Sequence, residues 1–141
     1  MSNKNLSLLF TGQGSQFADM GIDFITKYEW VKERYSISSK ILGYDLIQAQ
    51  RDPRLLNLTQ YSQPMIFVFS SIIIDLCKDY LHKNFSKIIL AGHSLGEYCA
   101  MYFAETFNGI NLPNGLCSIN SITLSLIPHI TTCLSEFILA M

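Results

Sequence analysis

Two short apolar runs, each closed by a glycine turn and each followed by helical periodicity, constrain this chain more than any other feature. Leu6 to Phe10 runs into Thr11-Gly12-Gln13-Gly14, and Ile88 to Ala91 runs into Gly92-His93-Ser94-Leu95-Gly96. Such runs, bounded by turn residues, read as fully buried strands, and strands separated by helical sequence read as a parallel α/β sheet. Between the runs the pattern is helical. Phe17, Met20, Phe24 and Ile25 recur at helical spacing, Trp30 to Leu42 is amphipathic and stops at Gly43, and Asp45 to Gln50 fits a short helix. Ser62-Gln63-Pro64 predicts the start of a long helix over about Met65 to His82, because serine caps a helix and proline is tolerated in its first turn. That helix is nearly uncharged until Asp75 and is expected to be buried on most sides. Glu97 to Phe107 resumes as helix.

Charge is scarce and unevenly placed. The 141 residues carry ten basic and eleven acidic side chains, a net charge of −1, and only 15% of the chain is charged against 49% hydrophobic. That balance gives no field for nucleic acid or an acidic membrane surface, and the apolar content argues against a disordered chain. All ten bases and ten of the acids lie at or before Glu105, leaving Glu136 as the single charge in residues 106–141. Residues 106–141 thus form a low-charge tail, with turn signals at Asn108-Gly109 and Pro113-Asn114-Gly115. Its stretch from Ser118 to Met141 is long enough to span a bilayer, but Pro128, Glu136 and its hydroxyls interrupt the apolar run, so no membrane association is expected.

Cys77, Cys99, Cys117 and Cys133 stand far apart, without a C-x-x-C pair or a histidine at ligand spacing. They read as small buried apolar residues of a cytoplasmic protein rather than as a metal or redox site. The apolar run at the N-terminus is too short for a secretory signal core.

Gly92-His93-Ser94-Leu95-Gly96 fits G-x-S-x-G, in which a serine sits on a tight strand-to-helix turn with its hydroxyl projecting from the sheet edge. Gly92 and Gly96 let strand and helix approach closely, and the helix start directs free N–H groups toward developing negative charge. The Leu95 N–H is placed as one oxyanion donor. Thr11 to Gln16 also leaves backbone N–H groups exposed at a helix start, where they can cradle a phosphate, although the Lys-Ser/Thr of a P-loop and the third glycine of a dinucleotide fingerprint are missing. If the two strands are parallel neighbours, both turns open at the carboxyl edge, and the Gln13 N–H can serve as the second oxyanion donor.

Thr11 to Gln16, Leu56-Asn57-Leu58-Thr59 running on to Gln63-Pro64, and Gly92 to Tyr98 occur in the order found in malonyl-CoA:acyl carrier protein transacylases. The chain resembles that family over about residues 5–105, a set also found in acyltransferase domains of polyketide synthases. A start four residues before the first strand looks like the discrete enzyme of fatty acid synthesis. The resemblance implies an α/β fold, a parallel sheet with flanking helices and a strand-turn-helix nucleophile elbow, incomplete relative to the full acyltransferase fold. It implies that Ser94 attacks malonyl-CoA, that the Gln13 and Leu95 amides hold the oxyanion, and that the malonyl group passes to the phosphopantetheine thiol of acyl carrier protein, with no cofactor or metal. Gln63 and His93 match positions that line or shape the pocket. Carrier proteins are acidic, so Lys78, Lys83 and Lys87 are candidate contacts.

Two parts of the family pattern have no counterpart here. No arginine follows Arg54 to pair with the malonate carboxylate, and the family's histidine base lies beyond residue 141. His82 is expected to face solvent at the polar end of the long helix, and nothing around His129 matches the family, so no general base is assigned. The expected division is residues 1–105 as the N-terminal part of the acyltransferase domain and 106–141 as a tail without family resemblance, as a shifted reading frame or truncation would produce. Impaired catalysis follows. An α/β-hydrolase-type thioesterase or esterase fragment, and a non-catalytic fragment that binds coenzyme A or carrier protein, are the alternatives.

Overall fold

The computed structural model describes residues 4–105. Its elements, in chain order, are β1 (Asn5–Phe10), α1 (Ile22–Lys27), α2 (Glu29–Leu42), α3 (Leu46–Arg51), α4 (Thr59–Asn84), β2 (Lys87–Gly92) and α5 (Leu95–Phe103). The tail, its turn signals, Cys117, His129 and Cys133 lie outside the described residues. Two compact units divide the chain: residues 4–12 with 70–105, and residues 13–69.

The first unit holds the α/β element expected from sequence. β1 and β2 pair in parallel, with Leu6 opposite Ile88, Leu8 opposite Leu90 and Phe10 opposite Gly92. α5 packs against both strands and buries Leu95, Gly96, Cys99, Ala100 and Phe103 along one stripe. The strands are not fully buried, contrary to expectation. They alternate between exposed and half-buried, with Leu9 78% and Ile89 43% exposed on the same face. A continuous apolar run says that a strand is apolar on both sides; whether both sides are covered depends on layers supplied elsewhere. The last turns of α4 meet the end of α5 through the Lys78–Glu105 ion pair and the Tyr102 hydroxyl, which donates to Asp75 at 2.9 Å.

The second unit is helical. α2 ends at Gly43 in the left-handed conformation, φ +75°, and Asp45 caps α3 by accepting from the N–H groups of Ile47 and Gln48 at 2.9 and 3.0 Å. Tyr35 is buried and donates its hydroxyl to the Met20 carbonyl at 2.9 Å, and burial pushes its phenol pKa well up. The helical spacing that begins at Phe17 yields helix only from Ile22. Asp19 at φ +60° and Gly21 at φ +86° break it, with Asp19 held by the Arg51 guanidinium at 2.5 Å.

α4 starts at Thr59 rather than at Ser62, and Pro64 stands inside it. Proline removes the N–H that would bond to the carbonyl four residues back. That carbonyl, on Gln60, accepts the Tyr44 hydroxyl at 3.2 Å instead. The bond comes from 16 residues away, which is why local sequence places the helix start too late. Met65 to Val68 are buried, as the uncharged stretch predicts.

Candidate active site

Ser94 occupies the turn between β2 and α5 with φ +54° and ψ −118°. A non-glycine residue in that region carries about 1–3 kcal/mol of strain and persists only where its surroundings impose it. The surroundings do so here. The Gly96 N–H donates to the His93 carbonyl at 2.9 Å, the Glu97 N–H to the Ser94 carbonyl at 3.0 Å, and the His93 N–H to the Phe10 carbonyl at 3.3 Å. A Cβ on Gly92 would stand 2.2 Å from the Gly96 carbonyl group, and one on Gly96 would stand 2.2 Å from the Phe10 carbonyl oxygen. The close approach expected of these two glycines is therefore backbone against backbone.

Strain at Ser94 leads to a direct prediction. Ser94→Gly should raise stability by about 1 kcal/mol, since glycine accepts positive φ without penalty. A urea unfolding midpoint equal to or below that of the wild type would contradict it.

The Ser94 side chain is exposed and does not cap α5. Among the described residues its hydroxyl makes no hydrogen bond, and the Leu95 N–H at the start of α5 has no acceptor either. An exposed hydroxyl beside an open amide at a helix N-terminus is the arrangement that presents a nucleophile and stabilises an oxyanion. His93 is exposed, adjoins Ser94 and makes no hydrogen bond with it. His82 is exposed as expected, its ring centroid 5.4 Å from that of Phe103. Burial pushes the Cys99 thiol up to about 11, with a hydrogen bond from Ser70 opposing, so this cysteine on α5 stays neutral and does not compete as a nucleophile. Cys77, by contrast, is exposed, against the expectation of burial; the helix face it occupies is not legible from cysteine spacing. The Lys78 ammonium pairs with Glu105 and lies 5.9 Å from the Phe103 ring centroid.

Gln13 and Gln63 belong to the other unit. Gln63 is buried at the start of α4 and donates from Nε2 to Gln13 Oε1 at 3.5 Å, a weak bond. Gln13 Nε2 donates to Thr59 Oγ1 at 3.1 Å, while its backbone N–H has no acceptor among the described residues. Gln16 Nε2 donates to Asn57 Oδ1 at 3.1 Å, and Gln16 Oε1 accepts the Gly14 N–H at 2.8 Å. Asn57 and Thr59 stand in the Leu56-Asn57-Leu58-Thr59 motif that carries the family resemblance, which implies no role for either side chain. Besides that motif, the signal that marks them is polar residues alternating with leucine just before a long apolar helix.

No protein-family model matches the chain. A malonyl CoA-acyl carrier protein transacylase from Synechocystis is 42% identical over 101 residues, 71% of this chain and 33% of the relative, and the crystal structure of the Synechocystis enzyme superposes with a TM-score of 0.61. Over 71% of its length the chain is similar to a segment of malonyl CoA-acyl carrier protein transacylases. It spans about a third of the length of the curated relatives it matches. The Helicobacter pylori transacylase gives a TM-score of 0.62 at 32% identity, covering 71% of this chain and 32% of that one. A transacylase solved in complex with its type II polyketide synthase acyl-carrier protein gives 0.57 at 32% identity, covering 72% and 33%. The fold is thus the α/β acyltransferase fold in part, as expected. Among the described residues, no helix is long and apolar enough to cross a membrane.

Proposed function

We propose that the chain carries the nucleophile portion of a malonyl-transfer site. Ser94 Oγ attacks the thioester carbonyl of malonyl-CoA, the new C–O bond replaces the C–S bond, and the coenzyme A thiol leaves with the proton that Oγ gives up. The phosphopantetheine thiol of acyl carrier protein then attacks the malonyl-serine carbonyl, a C–S bond forms as the ester C–O bond to Ser94 breaks, and the thiol proton returns to Oγ. The Leu95 N–H is one oxyanion donor; on the family resemblance the Gln13 N–H is the second, and Gln63 and His93 shape the pocket. Residues 1–105 are the acyltransferase part and 106–141 a separate tail. The reading places the chain in the cytoplasm, in keeping with its free cysteines.

The observation that carries this reading is Ser94 itself: strained, exposed and not used as a helix cap, next to an amide without an acceptor. The relatives' names support the substrate and the carrier. Within the 141-residue polypeptide no histidine bonds Ser94 among the described residues and no arginine follows Arg54, so acylation is slow and selects poorly between malonyl and acetyl groups. Oxyanion stabilisation alone leaves some residual acceleration in a comparable serine enzyme.

Intact-mass analysis after incubation with malonyl-CoA tests both parts. The expected result is a slowly growing, substoichiometric malonyl adduct that Ser94→Ala abolishes. An adduct that survives Ser94→Ala, or none at all after long incubation, overturns Ser94 as nucleophile. Rapid stoichiometric acylation overturns the claim that base and carboxylate clamp are wanting.

A further inference from the structure

We infer that Asn57 and Thr59 are positioning residues that hold the Gln13–Gln16 loop and so fix the direction of the Gln13 N–H. The inference deepens the proposed function, on which it rests for the role of that N–H; the holding of the loop stands on its own hydrogen bonds.

Gln13 to Gln16 contains no regular structure, is largely exposed, and includes Gly14 at φ +107°. A loop of this kind has no helix or strand ladder to define its peptide planes, so its own side chains must do so. Two side-chain amides take that task. Gln13 is tied by its side chain to Thr59, whose hydroxyl both accepts from Nε2 at 3.1 Å and donates toward Oε1 at 3.4 Å. With both ends of the Gln13 amide engaged, the group that this residue leaves for a substrate is its backbone N–H. Gln16 acts one peptide further on, where its Oε1 accepts the Gly14 N–H at 2.8 Å.

The Gly14 N–H is a donor and so selects the oxygen end of the Gln16 amide, but that bond alone leaves a long side chain free to swing away. Asn57 anchors it by accepting Gln16 Nε2 at 3.1 Å, which holds the oxygen toward Gly14. Asn57 and Thr59 lie two residues apart at the entry to α4, and α4 has its own start fixed by the Tyr61 and Ser62 N–H groups, both donating to the Leu58 carbonyl at 2.9 Å. The loop is thereby referred to the N-terminus of a 26-residue helix. Preorganised donors act on a transition state because they need no reorganisation when charge develops, and a loop that samples several peptide orientations forfeits that advantage.

Backbone amide hydrogen exchange of the full 141-residue chain, resolved by residue, provides the test. Gly14 in the wild type is protected relative to an unstructured glycine. Asn57→Leu and Thr59→Val should each speed exchange in the 13–16 loop by about tenfold or more, the loss of one to two hydrogen bonds, while amides of the buried α4 face such as Val68 keep their protection. Asn57→Asp, which keeps the acceptor, and Thr59→Ser, which keeps the hydroxyl, should restore wild-type exchange. A role in general stability alone would move Val68 together with Gly14. An unprotected Gly14 in the wild type, unchanged loop exchange in Asn57→Leu and Thr59→Val, or failure of both conservative variants to restore it overturns the inference. Because exchange does not require Ser94 to react, the same pattern in a Ser94→Ala background separates this outcome from failure of the proposed function.

Discussion

Gly96→Ala should destabilise the chain by about 3 kcal/mol or more, since the added methyl group meets backbone rather than side chains. The new Cβ would lie 2.2 Å from the Phe10 oxygen and 3.0 Å from the Thr11 oxygen. Both are backbone atoms at the end of β1, and β1 is already committed to β2 through its ladder. Overpacking against side chains is relieved by rotamer changes; here either α5 must lift from the sheet or the strand end must move. Gly14→Ala is the control. Its φ is +107°, yet nothing lies within 4 Å of the added carbon, so it costs only the conformational penalty of about 1 kcal/mol. Urea unfolding of the two variants should separate these effects, and equal costs would mean that steric approach at the elbow is not what demands glycine.

Phe67→Ala should cost about 3–5 kcal/mol, the range for removing a buried aromatic ring and leaving a cavity behind. Phe67 is fully buried on α4, within the run from Met65 to Val68 in which every side chain is inaccessible or nearly so. Tyr80→Ala, on the same helix at 66% exposure, should change stability by no more than about 0.5 kcal/mol. A loss below about 1 kcal/mol for Phe67→Ala, measured by the same unfolding midpoints, would show that this core collapses around the deletion or is loosely packed.

These two predictions draw on different levels of legibility. The need for glycine at 92 and 96 is readable from the motif, because a strand-turn-helix elbow brings its own two arms together whatever surrounds it. The burial of Met65 to Val68 is readable from the absence of charge. The same reasoning misplaces the start of α4, since Pro64 and Ser62 carry strong local signals for a first turn, whereas the helix in fact begins at Thr59 with Tyr44 satisfying the Gln60 carbonyl. It also runs a helix through Phe17 to Met20, where Asp19 and Gly21 adopt positive φ. Each miss turns on a partner distant in sequence: Tyr44 for Gln60, and Arg51 for Asp19.

At the candidate site the division is similar. Ser94, Leu95 and Gln13 are candidates from turn chemistry and strand order, and Gln63 from the family resemblance. Asn57 and Thr59 are not, because an asparagine and a threonine before a helix have many local uses, and only their hydrogen bonds to Gln16 and Gln13, 41 and 46 residues away, distinguish them.

The sequence by itself determined the parallel strand pair, the glycine-flanked serine turn and the helical stretches between them. These follow from periodicity and turn chemistry among residues within a few positions of one another. Only the tertiary structure decided that Ser94 takes a strained conformation with its hydroxyl unspent, that the strands are covered on one face more than the other, and that a loop without secondary structure is held by α4. Strain, burial and amide orientation are set by which distant groups meet, and local sequence does not specify those meetings.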